Sequence, residues 1–171
     1  PAVSAARARG DGRGIQDVSR MGFKLALVIG LPCGIGLYVL GTQVVDFLYD
    51  ISPDRLLIAG ALMRTMAVGI IFLSLVQTLT GIIQGLGRPQ IPVLNLGIGA
   101  IVKVASMLIL MHNPEIEIQG AAISTVLCYA VAGILDAVYL VRKTRLSVNW
   151  TDTLLKPLVA AVTMGASVYF A

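Results

Sequence analysis

The stretch LIAGALMRTMAVGIIFLSLVQTLTGIIQGL, residues 57–86, carries a single charged side chain, Arg64. At 1.5 Å per residue a helix of this length extends ~45 Å, more than the ~30 Å of hydrocarbon in a bilayer. Inside hydrocarbon no water can satisfy backbone N–H and C=O groups, so an apolar run of this length is expected to be a helix that bonds them internally. The segment therefore reads as a membrane span, with length to spare for tilt or an interfacial turn.

Four further apolar segments flank it, near residues 22–40, 91–111, 119–141 and 155–171. Composition agrees: 57% of the residues are hydrophobic, 13% are charged and the mean hydropathy is +0.87. Soluble domains carry about 25% charged residues, so this chain has too few charges to cover a water-facing surface. The expected fold is an all-α membrane protein of about five transmembrane helices, 22–171, preceded at 1–21 by the cytoplasmic end of an earlier helix and a basic cytoplasmic segment. The chain opens at Pro1, and residues 158–171 are still apolar where it stops, so it is expected to be a piece of a longer protein.

Charge in the connections orients the spans, because lysine and arginine are retained on the cytoplasmic side. Arg7, Arg9, Arg13, Arg20 and Lys24 precede or open the first span, while the next connection has Asp50, Asp54 and only Arg55. Arg88 sits in the following turn, residues 112–117 hold no lysine or arginine, and Arg142, Lys143, Arg145 and Lys156 fill the last connection. Basic connections thus alternate, which places the N-terminal segment in the cytoplasm. Ser52-Pro53-Asp54 reads as a helix start and Gly85-Leu86-Gly87-Arg88-Pro89 as a stop. Asn113-Pro114 reads as a break on the outside, and residues 42–49 as an interfacial helical turn leaving the first span.

Polar residues inside spans turn toward other helices or water rather than lipid. Ser74, Gln77, Thr78, Gly81, Gln84 and Gly85 lie on one face of the second span. Asn95, Gly99, Lys103 and Ser106 fall within a quarter turn of one another on the third, and Thr125, Cys128, Tyr129, Ala132, Asp136 and Tyr139 line one face of the fourth. Small and hydroxyl residues on such stripes are ordinary packing contacts. Lys103 stands apart, ~18 Å along its helix and too deep to snorkel easily, so it needs a wet cavity or a partner such as Asp136. Arg64, nearer its helix end, can reach headgroups along its stem; turned inward it would join Lys103 in an electropositive cavity suited to a phosphate. Gly30 and Gly34, and Gly81 and Gly85, show the GxxxG spacing of close helix contacts, and Pro32 marks a potential kink.

Other chemistries find little support. The net charge of +4 clusters in the connections, aromatics make up 6% and the one tryptophan is Trp150, so no nucleic acid partner is expected. Cys33 and Cys128 lie in apolar runs and His112 is the single histidine, so neither a metal site nor a cofactor is expected. The spans hold no paired carboxylates and no nucleophile beside a base, so no catalytic residue is assigned and an enzyme is not expected.

The run from Thr80 through Gln84-Gly85-Leu86-Gly87-Arg88-Pro89-Gln90-Ile91-Pro92-Val93-Leu94-Asn95 to Lys103 resembles the stage V sporulation protein B group of polysaccharide-biosynthesis flippases. Ile118-Gln119-Gly120-Ala121-Ala122-Ile123-Ser124-Thr125 and Pro1-Ala2-Val3-Ser4-Ala5 extend the likeness over nearly the whole chain. The group belongs to the multidrug, oligosaccharidyl-lipid and polysaccharide exporter superfamily. The resemblance implies a two-lobe bundle in a bacterial plasma membrane, with this chain forming most of the C-terminal lobe and an N-terminal lobe elsewhere in the protein. It implies translocation of a lipid-linked anionic sugar precursor by alternating access, with membrane lipids as surroundings. Lys103 and Arg64 would then attract the headgroup, and Gln77, Gln84 and Asn95 would bond it. A cation-coupled multidrug antiporter of the same superfamily, with Asp136 as its intramembrane carboxylate, is the alternative, and a membrane scaffold is the reading from a different class.

Overall fold

The computed structural model describes residues 2–49, 52–110, 117–144 and 155–170. His112, the Asn113-Pro114 break, Arg145 and Trp150 lie outside the described residues. Among the described residues six helices follow in order: α1 Ala2–Ala8, α2 Gly12–Leu48, α3 Pro53–Gly85, α4 Gln90–Leu110, α5 Glu117–Thr144 and α6 Lys156–Phe170. Among the described residues there is no strand, and α2 to α5 are each long and apolar enough to cross a membrane; α6 is a shorter apolar helix.

The first span differs from the sequence expectation. One helix runs from Gly12 to Leu48, absorbing the basic residues before residue 22 and the expected interfacial turn at 42–49. At 37 residues it is ~56 Å long, so its first turns, with exposed Arg13, Asp17, Arg20 and Lys24, extend past any hydrocarbon layer. Hydropathy marks where a helix is apolar, not where it ends; here the ends are set by Asp11, whose side chain caps Gly14 N at 2.9 Å, and by Tyr49 in extended backbone. Pro32 leaves α2 unbroken. At the start of α3, Ser52 occupies the N-cap with extended backbone and Pro53 the first helical position, where its missing N–H costs nothing.

α2 packs along α3, α3 along α5, and α5 along α4, while α6 lies on α2 and α4 barely touches α3. Val3, Leu79, Ile82, Ile83 and Leu140 form one buried cluster where α1, α3 and α5 meet; Leu27, Leu31 and Ala161 form a second between α2 and α6. The accessible surface is 10635 Å², against about 8,000 Å² for a soluble globule of this mass. Much of the excess is apolar: on α4 alone Val93, Leu94, Ile98, Ile101, Val104 and Leu108 are exposed. Such a surface is stable in lipid.

Of the two GxxxG pairs, Gly30 and Gly34 are buried against α3, and a Cβ on Gly34 would lie 3.0 Å from the Ala67 carbonyl oxygen. Gly81 faces open space. The chain stop after α3 is a Schellman motif: Arg88 N bonds Ile83 O at 3.3 Å, Gly87 N bonds Gln84 O at 2.8 Å, and Gly87 sits at φ 69°. α1 ends the same way, with Asp11 N on Ala6 O at 3.1 Å, Gly10 N on Arg7 O at 3.0 Å and Gly10 at φ 67°. The Arg7 guanidinium occupies the space a Cβ on Gly87 would need.

Two alanine substitutions should therefore separate. Gly87→Ala is expected to destabilise the detergent-solubilised protein by about 1–2 kcal/mol, the cost of a left-handed backbone for an L-residue. Gly81→Ala should be neutral or stabilising by up to about 1 kcal/mol, because it replaces an open helical glycine. Thermal unfolding followed by circular dichroism reads both.

Candidate functional site

A carboxylate among apolar helices must find donors, and Asp136 finds two. It is 1% exposed; Asn95 donates through Nδ2 to Oδ1 at 2.7 Å and Thr80 through Oγ1 to Oδ2 at 3.3 Å. The three residues come from α5, α4 and α3, so the cluster ties together three helices at one point. Thr80 is five residues from the end of α3, Asn95 five from the start of α4 and Asp136 eight from the end of α5. These offsets set the cluster ~8–12 Å inside the end of the bundle that carries Arg88, Arg142 and Lys143. Beyond it, α4 and α5 come close where Gly99 meets the Cys128 carbonyl, 2.7 Å from where a Cβ would stand.

The structure brings Asn95 and Asp136 together and leaves the other expected residues apart from them. Lys103, half-buried, lies thirteen residues into α4, ~20 Å from the basic end and ~8 Å deeper than Asp136. The bonds to Asp136 come from Asn95 and Thr80, and Lys103 is not among its partners. Because α3 begins at Pro53, Arg64 stands three turns inside its helix, deeper than its position in the apolar run suggests. It is exposed and lines a cavity of about 330 Å³ with Tyr38, Thr65, Val68 and Val126, between α2, α3 and α5. Gln77 and Gln84 are exposed on one stripe of α3 with Gly81 between them. On α3 that stripe points away from the Arg64 position by most of a half turn.

Thr80 is the residue that reading the sequence missed. It lies about 60° round the helix from Gln77, off the polar stripe, and a threonine in a span is normally satisfied by its own helix. The available signal was Asp136 itself: a carboxylate at that depth demands more than one donor.

Long apolar helices, a lipid-compatible exterior and polar groups held within the bundle define a multi-pass helical membrane protein. A family model described as Lipid II flippase MurJ matches residues 1–171, the whole chain, which therefore belongs to the lipid II flippase MurJ family. This is a family of transporters in the exporter superfamily indicated by the resemblance; within that superfamily the family that matches is the lipid II flippases, where the resemblance points to the sporulation-protein group. Comparison with curated proteins and with solved structures gives no match.

Asp136→Ala should destabilise the protein by about 1–3 kcal/mol, since it strands two half-buried donors. Asp136→Asn, which keeps an acceptor, should lose less. Thermal unfolding of both variants in the same detergent checks the order, and an alanine variant as stable as the parent would remove the cluster from the fold's supports.

Proposed function

We propose that this chain is part of a flippase that carries a lipid-linked, pyrophosphate-bearing sugar precursor, lipid II or a related polysaccharide carrier, across a bacterial plasma membrane. The whole-chain match to a lipid II flippase family carries this reading. In it the chain forms most of the C-terminal lobe, the basic end faces the cytoplasm, and alternating access moves this lobe against an N-terminal one. The chemistry required is attraction of a diphosphate within a low-dielectric bundle, followed by release.

The residues support a division of roles. Arg64, exposed along a cavity, and Lys103, half-buried near mid-helix, supply positive charge where an anion would otherwise pay a large desolvation cost. Gln77 and Gln84, both exposed, offer amide donors and acceptors to sugar and phosphate oxygens. Asn95 has its amide nitrogen committed to Asp136, so its part is to hold α4 on α5 rather than to bond substrate directly. A cation-coupled drug antiporter needs a carboxylate open to its ion, and Asp136 is 1% exposed with a hydrogen bond on each oxygen.

Full-length protein reconstituted in vesicles should translocate fluorescent lipid II. Lys103→Ala should slow that translocation about tenfold, the equivalent of ~1.4 kcal/mol of lost interaction with the anionic group. Unchanged rate and unchanged affinity in this variant would remove Lys103 from the mechanism.

A further inference from the structure

At the basic end of the bundle three helix termini and the turn between α3 and α4 border a half-open cavity of about 480 Å³. Its wall is built by Arg7 from α1, Gly12 and Gln16 from the start of α2, Arg88 from the turn between α3 and α4, and Tyr139 and Lys143 from the last turns of α5. None of the lining side chains is acidic. The three cations are far apart in sequence, and the topology alone collects them.

The surroundings hold this arrangement in place. Gln16 Nε2 donates to the Thr144 carbonyl at 2.8 Å, pinning α2 to α5. That bond also covers one of the carbonyls that give the end of α5 its negative pole, which would otherwise oppose an anion. The first turn of α2 enters the wall at Gly12, and the carboxylate of its N-cap residue Asp11 is committed to Gly14 N at 2.9 Å. Arg7 is seated over the left-handed Gly87, so the turn that delivers Arg88 also fixes Arg7. Three like charges placed around one concavity repel one another, and an anion in the cavity relieves that repulsion.

We propose that this cavity is a binding site for a phosphate group, distinct from the path of the transported lipid. It contains none of Lys103, Arg64, Gln77, Gln84, Asn95 or Asp136. The arginine forks match phosphate oxygens bidentately, and the Tyr139 hydroxyl and Lys143 add single donors. With the basic end at the cytoplasmic surface, the phosphate belongs either to an anionic lipid headgroup of that leaflet or to a soluble phosphate compound. An occupied site would staple α1, the α3–α4 turn and α5 together.

The test uses full-length protein in detergent micelles with two probes, fluorescent phosphatidylglycerol and inorganic phosphate, phosphatidylcholine serving as the neutral-headgroup reference. In the Arg88→Gln/Lys143→Gln double variant, affinity for the binding probe should fall about tenfold or more. The charge-preserving Arg88→Lys/Lys143→Arg pair should retain most of it, and Arg142→Gln, an exposed cation outside the wall, should retain all of it. Selective loss of phosphatidylglycerol binding supports the site with a lipid headgroup as occupant; selective loss of phosphate binding supports it with a soluble occupant. The proposal is overturned if a well-folded, monodisperse double variant binds both probes as the parent does, or if Arg142→Gln weakens binding equally. Lipid II translocation is not the readout, so this result and that for Lys103 stand separately.

Discussion

An ionisable group inside hydrocarbon cannot go unpartnered, and the burial of Asp136 decides how α3, α4 and α5 are joined near the basic end of the bundle. Water is only ~8–12 Å away toward the basic end, yet the carboxylate is closed off and each of its oxygens accepts a hydrogen bond from within the protein. The two donors sit on different helices, so neither α3 nor α4 can slide or turn on α5 without breaking a bond. This matters most for α4, which packs on α5 and scarcely meets α3. The polar cluster links two helices that otherwise meet only slightly.

The sequence shows the spans because hydrocarbon imposes a length and a composition that soluble folds do not share. It shows less of where helices end, since a helix can continue into water on charged residues; α2 does so through Arg13, Arg20 and Lys24. Periodicity marks Asn95 and Asp136 as facing inward on their own helices, but which faces meet is a property of the packed bundle. Their partnership therefore spans 41 residues without a local signature, and Thr80, 56 residues from Asp136, has even less to mark it. Depth has the same limit, because Arg64 looks shallow until the start of α3 is known.

Glycine shows how one residue type carries different information by position. Gly30 and Gly34 let α2 and α3 approach to backbone contact, whereas Gly81, in an identical spacing, touches nothing within 4 Å. Spacing alone cannot separate these cases, since each depends on a neighbour supplied by another part of the chain. Gly10 and Gly87 are legible for a different reason: each follows a helix and precedes a polar or proline-bearing segment, the setting in which a left-handed residue closes the last turn. Those two closures lie at one end of the bundle, and the side chain of Arg7 lies across the second.

The uncovered surfaces of the bundle are of two kinds, and the difference bears on transport. The outer face of α4 is continuously apolar, and lipid tails satisfy it. The open stripe of α3 is not, because Gln77, eight residues inside the helix end at Gly85, presents an amide with two donors and an acceptor that hydrocarbon cannot bond, while Gln84 lies one residue from that end, within reach of water. Facing lipid, Gln77 would incur the cost of an unsatisfied polar group; facing water or another part of the protein, it does not. α3 is held between α2 and α5, so this stripe cannot rotate into the bundle to escape that cost. The α3 face bearing Gln77 and Gly81 is therefore one that hydrocarbon covers at a cost, whereas lipid covers the apolar outer face of α4 at none.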